Sequence, residues 1–263
     1  LNGGLANQVF QYIFARYYAL SHPGDKMYLD DTYFTLHTVH NGYELEKVFG
    51  LRPPMLSECF DEPVWNFILE ERKRGKSVPQ ILKDNQVEIQ MITEMKQFSE
   101  FNSFDGSVIN IPNNGYYPEI LEVAENTYYH GYWINKNWFM RFQDVFLQEF
   151  QFPPITEERN LMYAQRIKSS HSVSVHVRRG DYVTLNWEIK PEFYRMGLSR
   201  FAQEVLGKWH LFVFSDDINW CRENGEELGF GNFPEVTYIE GNMEGKNYRD
   251  LQLMSMCEAM IVS

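Results

Sequence analysis

The plainest chemical capacity in this chain lies in Ser172-Val173-Ser174-Val175-His176-Val177-Arg178-Arg179-Gly180-Asp181, an apolar run that ends in two arginines and a glycine. Each guanidinium is a planar fork of donors that can clasp phosphate oxygens two at a time, and Gly180 would let the backbone come close to such a ligand. Ligands of an open parallel sheet bind outside the carboxyl ends of its strands, so this spacing offers a pyrophosphate a double guanidinium at the expected crevice. The structural alternative is that Arg178 pairs with Asp181 or another carboxylate and merely fastens the loop. A second run, Leu211-Phe212-Val213-Phe214-Ser215-Asp216-Asp217, turns polar just as abruptly. Short acceptors there suit ribose hydroxyls or a base edge; alternatively Ser215 or Asp216 caps the following helix. Adjacent aspartates at a helix start rarely face one ion, so no metal site is expected.

Gly3-Gly4-Leu5-Ala6-Asn7-Gln8 is a glycine-rich turn before a helix, able to offer backbone amides and Asn7 to an anion or hydroxyl. It lacks the Gly-Lys-Ser/Thr of a P-loop and is not G-x-G-x-x-G. Among the aromatic residues, Gly131-Tyr132-Trp133 at a strand end is the expected platform for a sugar ring. His37 and His40 lie close together but read as incidental loop residues. The sequence holds no G-x-S-x-G elbow and no H-E-x-x-H helix, and none of its three cysteines, Cys59, Cys221 and Cys257, stands in a nucleophile setting.

The elements that must position these groups follow from periodicity. Val9, Ile13, Tyr17 and Leu20 recur at helical spacing, with Asn7 as the expected N-cap and Pro23-Gly24 as the stop. Lys26 to Asp30 reads as a short strand, Gly42 to Phe49 as a short helix, and Asp61 with Pro63 opens a helix toward Gly75. Val87 to Gly115 is mixed and carries no clear element. Thr127 to Trp133 reads as a strand and Asn137 to Phe150 as one helix burying Phe142, Val145, Phe146 and Phe150. Pro153-Pro154 forces an extended connection and marks a boundary between residues 1–153 and 154–263. Beyond it, apolar runs at 172–177, 210–214, 236–239 and 259–262 alternate with helical stretches at 191–206, 217–228 and 248–258, the pattern of a parallel α/β sheet with crossover helices.

Composition limits the function classes. The 263 residues include 44% hydrophobic side chains, enough for one large or two modest domains, and the net charge of −12 argues against a broad nucleic-acid or anionic-membrane surface. The odd, scattered cysteines suit a reducing compartment rather than a disulfide scaffold or zinc site. No apolar run approaches the ~18 residues of a membrane span. The chain opens at Leu1 and closes on a strand-like Ala259–Ser263, so a truncated C-terminal portion is expected.

Taken together, the motifs resemble the α-1,2-fucosyltransferases of glycosyltransferase family 11. Gly3 to Tyr12 matches the family's G-G-L-G-N-Q-x-F-Q-Y, His176 to Tyr182 its H-x-R-R-G-D-Y, and Phe214 to Cys221 its F-S-D-D-I-x-W-C. The segments 40–45, 131–133 and 250–255 add to the likeness. Ala6 stands where the family has glycine, the stretch from Tyr182 to Pro191 is shorter than the family's, and a later Ser-, Phe- and Trp-rich segment is absent. The resemblance implies a GT-B architecture, two Rossmann-like domains facing a cleft, with residues 1–153 on the acceptor side and 154–263 binding GDP-fucose. It implies metal-independent, inverting transfer of L-fucose to the 2-hydroxyl of a β-galactoside-terminated glycan. Arg178 would meet the leaving diphosphate, supported by His176, Asn7 and Arg179; Gly4, Gly180 and Asp181 would line the donor site, and Ser215 and Asp216 would bind guanosine. Asp30, Asp31 and Glu44 are the carboxylates available as general base, with none preferred. A cytoplasmic enzyme, peripherally associated with a membrane or lipid-linked acceptor, is the expected setting. Transfer to another hydroxyl or to protein, and nucleotide-sugar binding without catalysis, are the rival readings.

Overall fold

The computed structural model describes residues 1–37, 41–94, 104–122, 126–243 and 245–262. The chain divides into two compact units, Leu1–Pro153 and Pro154–Ser263. Each contains an all-parallel sheet: three strands in the order β2-β1-β3 in the first, four in the order β6-β5-β4-β7 in the second.

In the first unit, helix Leu5–Ser21 buries Ile13, Phe14 and Tyr17 against Ile92, Trp133, Trp138 and Phe146. The strands are β1 (Gln90–Glu94), β2 (Ser107–Ile111) and β3 (Thr127–His130). The first two lie in the segment that carried no clear sequence signal. β2 is almost wholly exposed and β1 has polar ends, so neither shows the clean alternation that marks a strand. The strand expected over Lys26–Asp30 is instead a single bridge between Leu29 and Met55. Its neighbour begins Pro53-Pro54, two residues without N–H donors, so the ladder cannot lengthen. The helix expected over Asn137–Phe150 is two, Lys136–Met140 and Gln143–Glu149, broken at Phe142. The break lets Trp138 and Phe146 both reach the core, where each is fully buried, while Phe142 stays half-buried.

The second unit follows the expected alternation. Its strands are β4 (His171–Val177), β5 (Trp209–Ser215), β6 (Glu235–Tyr238) and β7 (Ala259–Val262). Side chains of a strand alternate between faces, and here that rule fills two cores. Val173, Val175, Val177, Leu211 and Val213 pack with Tyr194 and Leu198 of helix Pro191–Glu204. Phe212 and Phe214 pack on the other side with Ala164 and Ile167 of helix Glu158–Lys168 and Leu253 and Met254 of helix Tyr248–Met254. Helices on both faces of a parallel sheet make this unit Rossmann-like. The stretch 217–228 holds two helices, Ile218–Glu223 and Gly225–Leu228.

Candidate functional site

β4 and β5 are neighbours, and their pairing runs from His171↔Trp209 to Val177↔Ser215, so the two strands end level. Arg178-Arg179-Gly180-Asp181 and Asp216-Asp217 therefore emerge side by side at the carboxyl edge of the sheet. Arg178 binds two carboxylates there: Nη2 to Asp181 Oδ1 at 2.6 Å and Nη1 to Asp216 Oδ2 at 2.8 Å. Its guanidinium also lies 5.4 Å from the centre of the Tyr182 ring, and the side chain remains 39% exposed. The structure thus contains the loop-fastening pairs, made by the arginine best exposed to meet an anion.

The two arginines do not form a joint clamp. Arg179 turns its guanidinium onto Trp220, 3.7 Å from the ring centre, with Nε 3.9 Å from Asp217, and its side chain is mostly covered. Only its backbone N–H joins Arg178, donating to Asp216 Oδ1 at 2.8 Å. Asp216 is therefore the hub of the turn, an arrangement that the sequence did not reveal. Gly180 also serves differently from expectation: the space beside its Cα is filled by the Asp216 carboxylate, and the residue has φ of +27°. Asp181 lies in the first turn of the short helix Gly180–Leu185.

Ser215 donates from Oγ to the Val177 carbonyl at 2.7 Å and accepts from the Asp217 N–H at 3.0 Å, tying the two strand ends together. The helix cap expected of Ser215 or Asp216 is provided by Asp217, whose carboxylate accepts from the Trp220 N–H at 3.2 Å. Asp216 and Asp217 thus serve different partners. Among the described residues no group of three or more His, Cys, Asp or Glu could hold a metal ion.

His176 stands on β4 opposite Phe214 and Val262. Burial, chiefly, pushes its pKa below the usual histidine value; the nearby Arg178 charge adds to this and Asp216 opposes it. The imidazole is therefore neutral at pH 7, a hydrogen-bonding group rather than a cation. Cys221 behind the site is fully buried, and burial raises its thiol to about 11, far from the thiolate needed by a nucleophile.

Gly4 and Asn7 belong to the first unit. Gly4, not Asn7, is the N-cap of helix Leu5–Ser21, without a side-chain cap bond. Asn7 sits within the first turn, because Leu5 and Ala6 are already helical and the Gln8 N–H bonds the Gly4 carbonyl at 3.1 Å. Gly3 has φ of +76°, and a β-carbon on it would strike the Asn7 side chain. The loop is held by a residue that sequence reasoning missed. Gln8, wholly buried, donates to the carbonyls of Gly3 at 3.0 Å and Gly42 at 2.9 Å and accepts from the Glu44 N–H at 2.9 Å. The signal available in the sequence was a pair of glutamines three residues apart on one helix, Gln8 and Gln11, the second of which bonds Asn2 at 2.9 Å.

Trp133 is not available to a sugar ring. It is 3% exposed and stacks on Phe14 at 4.0 Å with planes 11° apart. Glu94 accepts from its N–H at 2.7 Å and from that of Tyr132 at 2.9 Å. His37 lies against Tyr33, and His40 lies outside the described residues. Of the three carboxylates considered as bases, Asp30 accepts from Tyr128 Oη at 2.7 Å and Glu44 is buried and accepts from Asn41 at 3.2 Å. The pKa of Asp31 is raised, mainly by burial and then by the neighbouring Asp30 charge.

Comparison with known proteins gives a consistent answer. The profile of glycosyl transferase family 11 matches residues 71–263. An α-1,2-colitosyltransferase of Escherichia coli is 28% identical over the whole of this chain and 82% of its own length. The O-antigen biosynthesis glycosyltransferase WbnK of Escherichia coli is 26% identical over the whole chain and 85% of its length. A galactoside 2-α-L-fucosyltransferase, SEC1 of Bos taurus, is 30% identical over 44% of this chain and 33% of its own.

Proposed function

The chain belongs to glycosyltransferase family 11, and on that premise we propose that it transfers L-fucose from GDP-fucose to the 2-hydroxyl of a terminal β-galactoside, with inversion and without a metal ion. The observation that carries this reading is the turn at the adjoining ends of β4 and β5, where Arg178 stands exposed between Asp181 and Asp216. Loss of the diphosphate places growing negative charge on the leaving oxygens while the sugar becomes oxocarbenium-like. A cation fixed in advance at that point stabilises the transition state more than the ground state.

Arg178 is the group that takes this charge, exchanging its Asp181 contact for phosphate oxygens while Asp216 keeps the turn in place. His176, neutral, hydrogen-bonds the donor beneath it, and the Arg179 backbone and Gly180 line the same turn. Ser215 and Asp216 border the nucleoside side. Gly4 and Asn7 carry the first unit's part of the family motif, and a fold of GT-B type is the architecture this reading implies. Asp31, whose pKa is raised chiefly by burial, is the carboxylate assigned here as proton acceptor for the 2-hydroxyl. The setting that fits is cytoplasmic, beside a membrane that presents a lipid-linked glycan; no helix among the described residues is long and apolar enough to cross that membrane.

A second donor is favoured by one observation: one of the relatives that align over the whole chain is named for α-1,2-colitosyl transfer. The test covers both. The protein is incubated in EDTA with GDP-fucose, or with a nucleotide-linked colitose, and a panel of β-galactosides; nucleotide release is followed and the linkage of the product is assigned by NMR. An α-1,2-linked product is expected, whereas GDP binding without turnover on any acceptor would favour a binding protein.

A further inference from the structure

The first unit contains an open cavity of about 540 Å³, bordered by helix Leu5–Ser21, the segment 25–29 and the segment 52–58. That volume falls in the range of roughly 300–1,000 Å³ typical of small-molecule sites. Apart from Tyr12, which ends the Gly3–Tyr12 motif, none of its lining residues belongs to a motif discussed above.

Its lining is divided by chemistry. Ala15, Ala19, Met27 and Pro53 give an apolar surface, and Tyr28 adds a half-buried ring. Three cations, Arg16, Lys26 and Arg52, are balanced by three carboxylates, Asp25, Glu58 and Glu149. The carboxylates are engaged by the protein itself: Glu149 by Arg16 Nε at 2.8 Å and Tyr12 Oη at 2.9 Å, Asp25 by Tyr18 Oη at 2.7 Å, and Glu58 by the Met55 N–H at 3.0 Å. Arg16 and Arg52 are engaged through Nε, to Glu149 and Glu46, which leaves their terminal N–H groups and the Lys26 ammonium as donors.

A balanced charge set disfavours a polyanion such as a nucleotide, whose phosphates would need an excess of cations. A purely apolar ligand would in turn strand the charged rim without partners. A ligand with one apolar face and an edge of hydroxyls satisfies both halves, since each hydroxyl can accept from the guanidinium or ammonium groups and donate to a carboxylate oxygen with a spare lone pair. That is the chemistry of a neutral sugar ring. We infer that this cavity is a saccharide-binding site that holds neutral sugar units of a glycan. The choice of a galactose-terminated probe rests on the proposed function; the site itself stands on the first unit alone.

The test uses a β-galactose-terminated neutral tetrasaccharide and the full chain. Its affinity is measured by calorimetry, and its contact with the protein by saturation-transfer NMR, for the wild type, for Lys26→Ala combined with Arg52→Ala, and for Ala19→Trp. The first variant removes exposed donors and the second fills the cavity; circular dichroism checks that both fold. We expect each to weaken tetrasaccharide binding about tenfold or more with the affinity for GDP unchanged. Equal affinity in the wild type and both folded variants, or no binding by the wild type, overturns the inference. Binding that is lost in both variants supports it even if no fucose is transferred, an outcome that would count against the proposed function alone.

Discussion

The Asp216 carboxylate occupies the place of the side chain that Gly180 lacks: a β-carbon on residue 180 would lie 2.6 Å from Asp216 Oδ2. The same carboxylate holds the Arg179 N–H and the Arg178 guanidinium, so the glycine, the aspartate and the two arginines form one unit across two strands. Gly180→Ala must push Asp216 aside and also strain a backbone with positive φ. We expect the folded variant to lose at least about tenfold in kcat with GDP-fucose, since a displacement near 1 Å at a charge-stabilising group commonly costs that much or more. Steady-state kinetics beside a thermal melt will separate this from loss of fold.

Arg178→Ala should lower transfer by at least about a hundredfold, the scale for removing a principal donor to developing charge. Arg178→Lys should recover only part, because an ammonium cannot make both the carboxylate contact and a bidentate phosphate contact. Near-normal turnover by correctly folded Arg178→Ala would remove this residue from the mechanism.

Metal removal should leave the rate unchanged. Asp216 and Asp217 face different partners, and in the proposed mechanism Arg178 would supply the charge that a divalent ion would otherwise provide. The measurement is the initial rate after dialysis against EDTA, with and without added manganese. Activity lost on chelation and restored by manganese would contradict this.

Burial raises the pKa of Asp250 to about 6, with the bond from Asn242 Nδ2 at 2.7 Å partly opposing it. The folded state then holds the proton more tightly than the unfolded chain, so stability falls as pH rises from about 4 to about 6 and levels off above. Asp250→Asn keeps the acceptor oxygen and removes the titration. The variant should gain on the wild type across that window, reaching on the order of 2–3 kcal/mol at pH 7. Urea unfolding of both proteins at pH 4.5, 5.5 and 7 checks it; a constant difference would refute it.

Gln8→Leu would leave the Gly3 and Gly42 carbonyls and the Glu44 N–H without their shared partner in a buried place. Each such loss costs about 1–3 kcal/mol, so a fall of at least about 2 kcal/mol in unfolding free energy is expected. Denaturant titration gives the number.

Where periodicity is local and unbroken, the elements were legible in the sequence. Strands β4 to β7 and their crossover helices stood out because fully buried strands are nearly continuous apolar runs and their connecting helices repeat at a different period. The motif match also pointed to the family from residues in order along the chain. β1 and β2 escaped because one has polar ends and the other is an exposed edge. The helix break at Phe142 escaped because burying both Trp138 and Phe146 in one core is a requirement of packing, not of propensity.

Within the site, the sequence by itself determined which side chains arrive at the sheet's carboxyl edge: strand length and alternation deliver Arg178, Arg179, Ser215 and Asp216 there. Their roles were decided only by tertiary structure. Asp216 meets Arg179 from 37 residues away, Ser215 meets Val177 from 38, and Arg179 is drawn off onto Trp220. Those partnerships depend on the register of β4 against β5, a long-range pairing that local sequence does not encode, and register is what turned two adjacent arginines into one exposed cation and one largely covered brace.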